Sequence, residues 1–550
     1  MNLIKKYPYR FGLLLAFFIG AFLRFYHLGS LPFEPHEDEI LVGYVGRYIL
    51  ENGKDIYGNK WPILYFNKFN DYYIIGPMYL SGLATYIFGV TEFAVRFPAA
   101  FFGSLVVLPV FMITRFITNN KLTSLLAAFT IAIMPWHIIL SRSSVEGIIG
   151  STLFLAAIVL LLYYVKKGEL VFLITASGLI FLSYGIYHPF RLYAPLIFLP
   201  LFFLFKEVRA KRKKMISIGI VMLLFFLVTF YISSTPWGKG RFLQTSIFGE
   251  LSGVGIRTQE QIYNTGTNNV FVARVFHNKA IGYGREFIKQ YLSYFSPLFL
   301  FIQNGAESRY DVPDQGLLFL TFLLSIIAIF LPFGKRVSFD KPYLFYFLYL
   351  LLITPIPAAF TYYGSPNIHR AVFLAVLLSV PIAMGMYRII TSQYRKVSVV
   401  IFFMILAAEF AYFWHQYSIQ SDVYLGLRRN DGQREVMRYV QQHLDEFDEI
   451  VLPAEGSMAL YYLFYTKDFN ENYSRQFKTD VHIAKIANIV FIQQSCPTEY
   501  YRPDSMKSTL IVNRHSCNQT ESFTKITELR GKNPLLKYSL YTSGVTQEKL

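Results

Sequence analysis

Eleven runs of about 16–21 mostly apolar residues recur along the first 415 positions. Each is close to the ~20 residues that an α-helix needs to cross the hydrocarbon of a bilayer. They lie near 11–27, 97–117, 122–140, 147–165, 169–187, 190–205, 215–233, 316–333, 343–359, 370–387 and 397–415. Hydrocarbon offers no hydrogen-bond partner, so a crossing segment must satisfy its own backbone, and runs of this length do so as helices. The expected fold is an α-helical polytopic membrane protein. Mean hydropathy is +0.37 and charged residues make up 16% of the chain, against ~25% in soluble proteins. That composition excludes a disordered chain, and no basic soluble face points to nucleic acid.

Net charge is +17, and its distribution orients the chain. Residues 421–550 hold 16 Lys/Arg and 16 Asp/Glu, so the whole excess lies in the first 420. Short cytoplasmic loops carry the Lys/Arg surplus of a membrane protein. Lys5, Lys6 and Arg10 place the N-terminus inside, and the first run closes on Arg24 and His27 without a small-residue cleavage pattern, so it is expected to stay as a span. A further stretch, 72–89, carries Gly76, Pro77, Ser81, Gly82 and Thr85. If it does not cross, the clusters at 115–121, 166–167, 206–214, 335–341 and 388–396 all fall inside; if it crosses, all flip outside. It is therefore expected to be an interfacial or re-entrant helix on the outer face. The inner segments then hold 19 Lys/Arg against Glu169, Glu207 and Asp340, which accounts for nearly all of the excess.

An odd number of spans puts the C-terminal part outside. The expected division is a transmembrane domain, 1–415, with external loops at 28–96 and 234–315, followed by an extracytoplasmic α/β domain, 416–550. Within the latter, Gln433–Glu446 has a helical pattern, and Glu449–Pro453 and Ile489–Gln493 read as buried strands. Its Cys496 and Cys517 are the only cysteines and suit a disulfide in an oxidising compartment.

The titratable residues that the topology argument leaves outside are the candidates for chemistry. His36-Glu37-Asp38-Glu39 stands in the first external loop, before an amphipathic stretch, Ile40–Leu50. Carboxylates at a helix start are favoured by its dipole, and such a group can also take a proton from a reacting hydroxyl. Short outer turns add Arg142 and Glu146, His188 and Arg191, and His369 and Arg370. Arginines at headgroup depth can hold a phosphate through paired N–H donors; the alternative for any one of them is a snorkelling anchor.

These motifs together resemble the GT-C glycosyltransferases, in particular bacterial members of glycosyltransferase family 39, akin to protein O-mannosyltransferases and aminoarabinose transferases. The resemblance runs from Asp38-Glu39, Gly43-Tyr44 and Gly53-Lys54-Asp55 through Phe93-Ala-Val-Arg96, Pro135-Trp136-His137 and Ser141-Arg142 to Tyr187-His188, Ser296-Pro297, Pro355-Ile-Pro357 and Arg370. It implies a GT-C fold with interfacial helices in loop one and a polyprenyl-phosphate-linked sugar as donor. It also implies inverting transfer to an acceptor hydroxyl of a protein, lipid or glycan on the non-cytoplasmic face of the cell membrane. By motif position Asp38 is the implied base, with Glu39 as the neighbouring choice and Glu146 shaping the site. Arg142, His188, Arg191 and Arg370 are the implied phosphate ligands. Relatives often carry a basic residue just before the Pro of the second interfacial helix; here Ile75-Gly76 precede Pro77, and Lys68 is the substitute. An oxygen-rich trio such as Asp38, Glu39 and Glu146 could accept Mg²⁺ or Mn²⁺, but no metal or other cofactor is expected. Two other classes stay open on the residues alone: a transporter or flippase of lipid-linked glycans, and a non-catalytic glycan receptor.

Overall fold

The computed structural model describes residues 8–543, apart from 69–70, 266–269, 304, 306–307, 333, 455–457, 475–484, 504–505, 515–516 and 519–521. The chain enters through α1 (Pro8–Phe25) and then forms the first-loop helix α2 (Glu37–Asn52). Next come a small hairpin, β1 (Phe66–Lys68) with β2 (Asp71–Tyr73), and the 13-residue helix α3 (Gly76–Phe88). At 1.5 Å per residue α3 is ~20 Å long, too short for the ~30 Å core, and it packs along α2 instead of crossing.

Among the described residues, seven helices are long and apolar enough to span a membrane: α1, α4 (Glu92–Thr118), α7 (Glu146–Lys167), α10 (Arg212–Ser234), α16 (Lys341–Ala359), α17 (Val372–Ile390) and α18 (Arg395–Tyr424). An eighth arises if α5 (Lys121–Ile133) and α6 (Pro135–Ser141), bent by 52° at their junction, are one broken span. Of the remaining expected spans, 169–187 is the shorter helix α8 (Leu170–Tyr184) and 190–205 is α9 (Pro189–Leu204), which carries Pro195 and Pro200. Among the described residues of the run at 316–333, nine are helical, forming α15 (Leu320–Ala328). Eleven full-length crossings are thus not reached. The chain is nonetheless a multi-pass membrane protein. α17 and α7 form the centre, with 83% and 78% of their most apolar windows buried, while α10 and α18 are only 17% buried. Ile220, Leu224, Phe226 and Phe230 of α10 are exposed, an apolar surface suited to contact with lipid.

The basic clusters gather at one end of this bundle. Asp340 N–H donates to Ile117 O at 3.0 Å, and Lys166 and Lys206 lie within electrostatic reach of the same residue. Lys214 Nζ donates to Val165 O at 2.5 Å, and Lys335 N–H to Thr391 Oγ1 at 3.0 Å.

Beyond α10 the long loop folds into short amphipathic helices, α11 (Pro236–Thr245), α12 (Val254–Asn264), α13 (Val270–Phe276) and α14 (Lys279–Ser293). The C-terminal part contains α19 (Gln433–Gln442), β3 (Glu449–Pro453), α20 (Met458–Thr466), β4 (Lys485–Ile486), β5 (Ile489–Ile492), β6 (Thr509–Arg514), β7 (Thr524–Arg530) and β8 (Lys537–Ser543). The strands form one mixed sheet in the order β4-β5-β3-β6-β8-β7, with β3 parallel to both β5 and β6. Both expected buried strands are present, and every residue of β3 is buried. Cys496 and Cys517 are disulfide-bonded, with Cα atoms 5.7 Å apart.

Helix α18 runs on to Tyr424, through the expected boundary at 415/416. The sheet's apolar core is continuous with loop one: Val436, Met437, Phe464 and Leu540 share a cluster with Tyr44, Tyr48 and Ile49 of α2. The C-terminal part thereby fixes the helix that carries the acidic run.

Candidate functional site

Helix α2 begins where the sequence clusters its acids. His36 is the N-cap: its Nδ1 accepts from Asp38 N–H at 3.1 Å, while Glu37, Asp38 and Glu39 fill the first turn. This is the arrangement that the helix dipole favours. Gly53, at φ 65°, closes the helix in the left-handed conformation.

Successive residues at that start face different surroundings. Asp38 opens into a cavity of about 150 Å³ that His188, Glu146, Arg309, His369 and Arg370 also line. Its Oδ2 accepts from Arg309 Nη1 at 2.7 Å, and its Oδ1 from Tyr73 Oη at 3.3 Å. The imidazole of His36 lies 3.6 Å from Oδ2. Glu39 borders the same cavity but is only 4% exposed, and its Oε2 accepts from Arg96 Nε at 2.7 Å. Arg96 is itself fully buried and donates further to Leu28 O, Pro32 O and Glu34 O. The Glu39–Arg96 pair therefore holds loop one against α4.

Of the other residues singled out from the sequence, Glu146, His188, His369 and Arg370 line the cavity. Glu146, at the N-terminus of α7, lies 3.5 Å from His369 Nε2. His188 begins α9. Arg370 donates through Nη1 to Thr361 Oγ1 at 2.7 Å and to Tyr363 O at 2.6 Å, and among the described residues its other side-chain nitrogens have no hydrogen-bond acceptor. Arg191 lies one turn from His188, its Nη1 3.5 Å from Nδ1, but it donates to Tyr184 O and rests on the Tyr184 and Trp237 rings, and it does not line the cavity.

Arg142 must be reassigned. It is fully buried and donates to the carbonyls of Leu23, Tyr26 and Leu31 at 2.6–3.0 Å. The aromatic faces of Trp414 and Tyr417 flank it at 5.7 Å. Leu23 O lies in the last turn of α1, where the backbone has no helical partner, and Tyr26 O and Leu31 O follow in the segment after it, so Arg142 braces the exit from α1 and does not line the cavity. Lys68 lies in β1, and its side chain is outside the described residues.

Two cations that the sequence did not single out complete the surroundings. Arg309 reaches Asp38 from the far end of the long loop, 271 positions away. Arg429, from the C-terminal part, donates to Arg309 O, Glu34 O and Ser143 Oγ at 3.0–3.2 Å and lies 3.9 Å from Glu39. It ties three segments of the site together. Among the described residues, no group of three or more His, Cys, Asp or Glu is arranged to hold a metal ion.

The site is thus a carboxylate and several arginines at one end of a helical bundle, opposite the end with the basic clusters. Residues 75–235 match the family described as dolichyl-phosphate-mannose-protein mannosyltransferase. This bears out, over that segment, the resemblance to family 39 membrane glycosyltransferases. No curated protein matches. Among solved structures, the chain is similar to the archaeal oligosaccharyltransferase AglB from Archaeoglobus fulgidus, in complex with an inhibitory peptide and a dolichol-phosphate, at 15% identity and a TM-score of 0.46. The alignment covers 87% of this chain and 64% of that one, so this chain spans just under two thirds of AglB. It is also similar to ArnT from Cupriavidus metallidurans, at 11% identity and 97% coverage of both chains, with TM-scores of 0.42 bound to undecaprenyl phosphate and 0.39 in the apo state.

Proposed function

We propose that this chain is a glycosyltransferase that moves a sugar from a polyprenyl-phosphate donor to an acceptor hydroxyl on the extracytoplasmic face of the cell membrane. The observation that carries the proposal is Asp38 in a cavity with Arg309 at 2.7 Å and Arg370 in the same lining. The match of residues 75–235 to a family described by a dolichyl-phosphate-mannose donor supports it.

On this reading the Asp38 carboxylate takes the acceptor's O–H proton as the oxygen attacks the anomeric carbon. The bond from that carbon to the phosphate oxygen breaks, its electron pair leaves with the lipid phosphate, and the new bond forms on the opposite face of the sugar. Asp38 then loses the proton to water. Arg309 and Arg370, with His188 beside them, neutralise the charge that grows on the phosphate, which is where fixed donors contribute most to a rate. The donor phosphate competes with Asp38 for Arg309, so donor binding releases the base. Arg191 holds His188, and Glu146 with His369 shapes the acceptor side. The charge is neutralised by arginines and the reading requires no metal, so EDTA is expected to leave the rate unchanged; a rate lost with EDTA and restored by Mg²⁺ or Mn²⁺ would contradict it.

The test is purified protein with a panel of radiolabelled polyprenyl-phosphate sugars, scored for release of lipid phosphate. Release from one member supports the reading. Movement of intact lipid across a vesicle bilayer without cleavage would instead identify a transporter, and binding without either event a receptor.

A further inference from the structure

A second cavity, of about 410 Å³, lies between α12 and α14, away from Asp38. Arg257, Arg285 and Lys289 line it together with His277, Asn278 and Thr258. One acid, Glu286, is present, 3.3 Å from Arg257 and 3.6 Å from Lys289, so the groove keeps a net positive charge. Among the described residues Arg285 has no ion-pair partner. The helices approach closely at Gly282, where a Cβ would come within 2.6 Å of Thr258 Oγ1, so the groove has a built floor.

Around this basic groove the helices expose Ile256, Tyr263, Phe271, Phe276, Ile288 and Leu292. Cations bordered by exposed aromatic and aliphatic side chains on short amphipathic helices characterise segments that lie in a membrane interface. The attachment of these helices places them at that depth. Helix α11 starts two residues after α10 ends. Tyr291 Oη donates to Leu352 O at 2.8 Å, near the end of α16. Ile247 N–H donates to Phe360 O at 2.7 Å, and the Phe287 ring packs on Phe360 with centroids 4.8 Å apart. Helix α16 ends there, two residues before Thr361, which holds Arg370.

We propose that the groove between α12 and α14 binds the phosphate of an anionic phospholipid from the surrounding leaflet. Arginine suits a phosphodiester through paired donors, the apolar rim suits the acyl chains, and the net positive charge favours a headgroup that carries net negative charge. The inference rests on the membrane reading of the chain and not on the transfer reaction. Its failure would leave the reaction untouched, and the reverse holds too.

The test is native mass spectrometry of the purified full-length protein titrated with phosphatidylglycerol, phosphatidylcholine, inorganic phosphate and polyprenyl phosphate in separate arms. Phosphatidylglycerol is expected to be retained in preference to phosphatidylcholine. The R257A/R285A/K289A variant should bind it at least about tenfold more weakly, since it removes all three Lys/Arg cations that line the groove. The E286Q variant, which frees Arg257 and Lys289, should bind it more tightly and gives a readout even if the triple variant misfolds. Equal retention of the two phospholipids, unchanged binding in either variant, or displacement of phosphatidylglycerol by polyprenyl phosphate or inorganic phosphate would overturn the proposal.

Discussion

Asp38 and Glu39 are neighbours in sequence whose roles separate by exposure. Asp38 meets the cavity and Arg309, whereas Glu39 is closed in by Arg96 and Arg429. The same division separates the arginines: Arg142 is spent on carbonyls, while Arg309 and Arg370 face the cavity. Arg309→Met should therefore leave thermal stability nearly unchanged and lower kcat by about 10²-fold, the scale of losing one donor to a developing oxyanion. Arg142→Met should do the reverse, losing stability with little change in activity per folded molecule. Equal behaviour of the two variants in paired melting and turnover assays would contradict the assignment. The acidic run was legible in the sequence because four titratable residues in a row are rare beside an apolar span. Arg309 was not, because loop 234–315 carries several other cations and only tertiary folding brings one of them to Asp38.

Glu34 lies behind the same site. It is 1% exposed, and burial pushes its carboxyl well above the usual range, with Arg434 opposing the shift from 3.9 Å and Glu435 adding to it. A raised folded-state pKa means that the folded protein holds a proton that the unfolded chain gives up near pH 4.3. The associated stability is fully present below that pH and is lost as pH rises through the higher folded value. Glu34→Gln should accordingly raise the melting temperature at neutral pH more than at pH 4–5. A gain of the same size at both pH values would contradict this.

At the scale of elements, α2 and α3 meet without side chains between them. A Cβ on Gly46 would lie 2.0 Å from Met78 O, and one on Gly82 would lie 2.5 Å from the Gly46 carbonyl carbon. Small residues at such a crossing let two backbones touch. Gly46→Val should cost about 1–3 kcal/mol or more from overpacking, and it should lower activity too, because α2 carries Asp38. Gly178→Ala in α8 meets nothing within 4 Å and serves in the same melting series as the control that should not destabilise. Long apolar runs and buried strands such as EIVLP were legible because their periodicity is local. The short α9 and α15 were not, because composition counts apolar residues and does not register where proline or a tertiary contact ends a helix.

For the whole molecule, the charge excess and the acidic site occupy opposite ends of one bundle. We infer that the basic end is cytoplasmic, which places the disulfide and the sheet outside. After reduction, Cys496 and Cys517 should then react with a membrane-impermeant maleimide in intact cells stripped of any outer barrier; labelling only after lysis would reverse the orientation. The C-terminal part shares its core with α2 and sends Arg429 to Glu39, Ser143 and the Arg309 backbone. It belongs to the structure of the site, although in sequence it looks like an appended soluble module.

The central claim, that Asp38 is the base of a sugar transfer from a lipid phosphate, is tested most directly by Asp38→Asn. The variant keeps the side chain's size and removes its ability to take a proton. Measured on the polyprenyl-phosphate sugar that the native protein cleaves, it should fold and bind donor yet release lipid phosphate at least about 10²-fold more slowly. Release at the native rate from a folded variant would contradict the account.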